Sequence, residues 1–68
     1  MSEHVYKSIE LTGSSKESVE GAIKNALNKA SQTIHNMRWF EVLETRGYIE
    51  GSEIAYYQVT IKLGFTVD

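Results

Sequence analysis

Apolar residues recur along this chain with two different periods, and the changes of period mark out its elements. Over residues 4–12, HVYKSIELT, Val5, Ile9 and Leu11 share one parity while Lys7 breaks the row, which predicts a strand. Gly13-Ser14-Ser15 is expected to end it. Ser14 followed by Glu17 has the spacing of a capping box, in which each side chain satisfies a backbone N–H of the other; Ser15 with Ser18 is the alternative start. From there Val19, Ala22, Ile23, Ala26, Leu27 and Ala30 fall three and four apart, forming one stripe of a helix about 17 residues long. Gly21 sits beside that stripe and suggests close packing there. The helix is expected to end near residues 31–33, where hydroxyls and a β-branch accumulate.

Period two then returns. One strand is predicted over residues 38–49 and another over 53–65, with Gly51 supplying the reversal between them. In the last strand Ala55, Tyr57, Val59, Ile61, Leu63, Phe65 and Val67 line one face, and Gln58, Thr60 and Lys62 the other. The apolar face should lie under the helix. The order is β-α-β-β, an α+β architecture with an antiparallel hairpin of long strands. One helix cannot cover both faces of three such strands. Tyr6, Trp39, Leu43, Tyr48, Ile54 and Tyr56 are left as an apolar surplus, which points to a subunit interface and hence to self-association.

Composition narrows the classes. A chain of 68 residues allows one domain, taken as residues 1–68, and a core too small to be comfortable alone. Without cysteine it has neither disulfides nor thiolate metal sites, and His4 and His35 lack a metal-ligand spacing. Seven basic against nine acidic residues, with no basic cluster, leave no electrostatic footprint for nucleic acid. No apolar run approaches the length of a membrane span, so a soluble, cytoplasmic protein is expected.

Three residues carry candidate chemistry. Trp39, the single tryptophan, has the parity of Glu41 and Leu43, opposite Phe40 and Val42. Phe40 and Val42 make the more natural core pair, so Trp39 is expected to face away from the helix as a stacking platform for a planar ring. Gln58 carries a donor and an acceptor on the polar face of the last strand, and could read the edge of such a ring with both. Arg46 could meet a phosphate or an intersubunit carboxylate. No spacing assembles a nucleophile, a base and an oxyanion site, so a binding protein is expected rather than an enzyme.

The opening His4–Leu11, the Gly13-Ser14-Ser15 break, Asn36–Val42, Arg46-Gly47 and the closing Tyr57–Lys62 together resemble the dodecins, of the bacterial type. The resemblance runs over nearly the whole chain. It implies a three-stranded antiparallel sheet partly wrapped around one helix, and twelve such subunits in a hollow homododecamer. It further implies stacked flavin pairs held between subunits for storage, buffering or photoprotection, with FMN favoured and riboflavin, FAD or coenzyme A as other occupants. By that resemblance Trp39 stacks on the flavin, Gln58 contacts it, and Arg46 serves the phosphate-bearing ligand.

Overall fold

In the computed structural model, which describes residues 3–67, the chain forms β1 (Tyr6–Ser15), α1 (Val19–Ala30), β2 (Met37–Glu50) and β3 (Glu53–Thr66). The sheet is antiparallel in the order β1-β3-β2. This is the β-α-β-β arrangement that the two periods predict. The hairpin reverses at Gly51, whose φ of +67° is a left-handed conformation suited to glycine at the start of a two-residue turn. Asn36, at φ +64°, turns the chain into β2, and its carbonyl accepts from Thr66 N–H. Among the described residues no helix is long and apolar enough to cross a membrane.

The start of the helix differs from expectation. β1 runs through Gly13-Ser14-Ser15, because each of these residues pairs with β3, Gly13 with Val59, Ser14 with Gln58 and Ser15 with Tyr57. With Ser14 held in the sheet, the Ser14–Glu17 capping box does not form. Ser18 is the N-cap instead: its backbone is extended, and its Oγ accepts from Gly21 N–H at 2.9 Å. Ser15 Oγ accepts from Glu17 N–H at 3.0 Å, so the two serines close the turn together. The helix is therefore 12 residues long. Glu20 in the first turn and Lys29 in the last match the helix dipole.

The core is narrow. Ala22 and Ala26 of α1 pack on Val59 and Ile61 of β3, with Leu11, Val19, Ile23 and Leu27 around them. A Cβ placed on Gly13 would lie 2.2 Å from the Ala22 carbonyl oxygen and 2.9 Å from Ala26 Cβ. Small residues on both sides thus bring helix and β1 into backbone contact. The predicted inner face of β3 holds at its centre, where Val59, Ile61 and Leu63 are almost fully buried.

A helix of 12 residues spans about 18 Å, against about 46 Å for a 14-residue strand. It rests on β1 and β3. Phe40 and Val42 pair with Leu63 and Ile61, and so have the helix-side parity expected of them. They are nonetheless 44% exposed, because the helix does not reach far enough over β2 to bury them. The expected core pair is instead part of the surplus, together with Ile49 and Ile54 near the hairpin turn. The Cα radius of gyration is 14.2 Å, where a compact domain of this length has about 11 Å. The chain exposes 5013 Å², against about 4,300 Å² expected of a folded chain of 7.7 kDa.

Gly13→Ala should lower stability by at least about 2 kcal/mol, because the obstructing atom is backbone and cannot turn aside. Gly47→Ala, whose added Cβ would meet nothing closer than Tyr56 O at 3.9 Å, should change stability by less than about 1 kcal/mol. Urea unfolding of both variants at one protein concentration checks the contrast, and equal losses would contradict the close-packing account.

Candidate functional site

Register decides what faces outward. Trp39 pairs with Gly64, and Arg46 pairs with Gln58; both β3 positions alternate with the buried Val59, Ile61 and Leu63. Trp39, Gln58 and Arg46 therefore share the sheet face that α1 does not cover, as parity predicts for Trp39. A bulge between Val42 and Glu44 resets that parity along β2, so Glu44 and not Leu43 continues the outer row toward Arg46.

The indole lies on the backbone of Gly64. A Cβ added there would fall 2.1 Å from Trp39 Cε2, 2.2 Å from Cζ2 and 2.7 Å from Cδ2. Those three distances fit a point above the Cε2–Cζ2 bond, not one at the ring's rim, so the ring meets the strand with a face. Any side chain at residue 64 would lift it. Tyr6 flanks the indole, ring centroids 6.3 Å apart and tilted by 54°. The result is a flat aromatic surface with one face on the sheet and 40% of the residue exposed. Sequence reading passed over Gly64, although a glycine inside a clear strand pattern is itself a sign of close approach by another group.

Farther along the outer face toward the hairpin, Gln58 Oε1 accepts from Arg46 Nη1 at 3.2 Å and from Tyr48 Oη at 3.2 Å. Arg46 Nη2 also pairs with the Glu44 carboxylate. Tyr48 stacks on Tyr56, centroids 4.7 Å apart and 12° from parallel. Tyr48 and Tyr56, expected to be interface surplus, thus have a definite place beside the amide. Gln58 and Tyr56 also border a polar groove of about 430 Å³ with Ser14, Lys16 and Asn25.

The structure brings Arg46 and Gln58 together but leaves Trp39 apart. Gln58 and the Gly64 beneath the indole are six residues apart on β3, a separation of about 20 Å at roughly 3.4 Å per residue. One chain cannot place both on the same ring.

Comparison with known proteins agrees with this arrangement of strands and helix. The Dodecin family model matches residues 5–68. The chain belongs to the dodecin family. It is 44% identical over 64 residues to the dodecin of Thermus thermophilus, covering 94% of this chain and 93% of that one. Among solved structures, the dodecin from Streptomyces davaonensis is 49% identical with a TM-score of 0.93, and the match covers 98% of each chain. The dodecin from Streptomyces coelicolor is 44% identical with a TM-score of 0.93, over 100% of this chain and 97% of that one. The dodecin fold is thus present over nearly the whole chain.

Gly64→Ala should displace the indole while the chain still folds, at a cost of about 1–3 kcal/mol. Because Trp39 is the only tryptophan, its emission reports this directly. A shift to longer wavelength, as the ring leaves the strand for water, is the expected result. An unchanged spectrum would mean that the indole does not rest on Gly64.

Proposed function

We propose that this dodecin sequesters flavin between copies of itself, as a storage, buffering and photoprotective protein and not as an enzyme. The observation that carries the reading is Trp39: a flat indole with one face closed by Gly64 and the other turned outward. A platform with a single open face stacks one ring. Two such platforms from two copies enclose a pair of rings, in keeping with the stacked pairs that the family resemblance implies.

Two further observations support an assembled site. The excess of exposed surface over a compact chain of this mass is about 700 Å², close to the roughly 800 Å² that each partner contributes to an ordinary stable interface. The distance between Trp39 and Gln58 within one chain also means that a ring stacked on one indole meets a Gln58 only from another copy. Twelve copies in a closed shell, in the cytoplasm, is the assembly we propose.

The ligand is FMN or riboflavin. The Glu44 carboxylate beside Arg46 offsets its charge toward a phosphate, while three of the five guanidinium N–H groups remain to donate. Ring stacking then supplies most of the affinity, on the order of 1–3 kcal/mol per ring and aromatic contact. An isoalloxazine supplies the redox-active and light-absorbing chemistry that such a protein holds in check. The electron-rich indole, in face contact with it, quenches its excited state by electron donation and return.

Titration of FMN with apoprotein should extinguish flavin emission in proportion to sites filled. Unchanged emission at micromolar protein would rule the reading out and leave a flavin-free shell, for which coenzyme A is the ligand to try. Trp39→Ala should keep the native mass in solution and lose at least about tenfold in flavin affinity, the loss expected of one stacking contact. Collapse of the assembly instead would make Trp39 an interface residue.

A further inference from the structure

We infer that Gln58 reads its ligand only as a hydrogen-bond donor, so that the ring edge facing it consists of acceptors, and that Tyr48 and Arg46 are the positioning residues that impose this. The inference rests on the flavin reading above and specifies which edge of the ring that site takes.

An amide oxygen has two lone pairs. At Gln58 both are engaged, one by Arg46 Nη1 and one by Tyr48 Oη, each at 3.2 Å. A guanidinium has donors and no acceptor, so the opposite flip of the amide would set N–H groups against N–H groups. Arg46 thus fixes which way the amide points, and Tyr48 fills the remaining lone pair. Each is held in turn: Arg46 by Glu44, and the Tyr48 ring by its stack on Tyr56. What is left to face a ligand is the Nε2 amino group with its two hydrogens.

This is a different reader from the two-sided amide that the sequence suggests. A glutamine using both halves would pair with a carbonyl and the neighbouring N3–H of the isoalloxazine. With its oxygen committed, Gln58 offers nothing to N3–H. It suits an edge with two adjacent acceptors, either N1 with the C2 carbonyl or N5 with the C4 carbonyl. Selectivity follows because a donor left facing a donor is penalised much more than a matched pair is rewarded.

The test uses the assembled protein and four ligands: riboflavin, 3-methylriboflavin, 1-deazariboflavin and 5-deazariboflavin. Wild type should bind riboflavin and the 3-methyl compound within about twofold, and bind one of the deaza compounds about tenfold or more weakly, the loss expected of one unpaired donor. Gln58→Glu, isosteric but without donors when ionised, should lose riboflavin by about tenfold or more at neutral pH. Tyr48→Phe frees one lone pair of Oε1, so riboflavin should gain on its 3-methyl analogue and the ratio of their affinities should rise. A merely structural role for Tyr48 would weaken both ligands alike and leave that ratio unmoved. Full binding by Gln58→Glu, or tight binding of both deaza compounds with loss of the 3-methyl one, overturns the donor-only assignment and leaves flavin sequestration standing. Failure of wild type to bind any of the four removes the flavin reading, and the assignment with it.

Discussion

Contact between the helix backbone and β1 at Gly13 is the constraint on which the rest of this fold turns. Alanines at 22, 26 and 30, each one turn from the next, leave the buried side of α1 without bulk, and Gly13 leaves β1 without a side chain where the helix crosses it. The helix can then settle close over β1 and β3. Once it has, Val59, Ile61 and Leu63 are the inner face of the sheet, and Gln58 and Gly64, of opposite parity on β3, fall on the other. The placement of Gly64 and Gln58, and of Trp39 and Arg46 across from them, follows from that single choice of side.

The same close packing limits what the helix can cover. A short helix on long strands leaves β2 exposed on both faces, with Phe40 and Val42 on one and Trp39 and Tyr48 on the other. A chain with this much apolar surface in water is stabilised by burying it against another copy, since the hydrophobic gain scales with area. The dodecin subunit is in this sense an unfinished core. Its proposed ligand site and its need for partners share one origin, because the residues left uncovered by the helix are also those that stack.

Within the outer face, two local devices prepare the side chains. Gly64 lets an indole lie against the strand, which restricts the ring and, for the proposed ligand, lowers the entropy lost on binding. Arg46 and Tyr48 orient the Gln58 amide, and Glu44 and Tyr56 hold them in place. Indole and amide are each held in place by neighbouring residues, six residues of β3 apart. In the proposed flavin site, that separation makes assembly a condition of recognition.

By itself the sequence determined the order of elements, the parity of β3 and the outward direction of Trp39, since alternation and helical spacing depend only on neighbours along the chain. The dodecin resemblance was legible there too, in the runs around Trp39 and Gln58. The helix start was not: Ser14 satisfies a local capping rule, but pairing with Gln58 across the sheet engages its backbone first. Nor was the exposure of Phe40 and Val42, which depends on how far the helix extends over β2. Tertiary structure alone decided that Gly64 bears the indole and that Arg46 and Tyr48 occupy the Gln58 oxygen. Those relations join residues on different strands, and their distances are set by register and bulges, which no local pattern encodes.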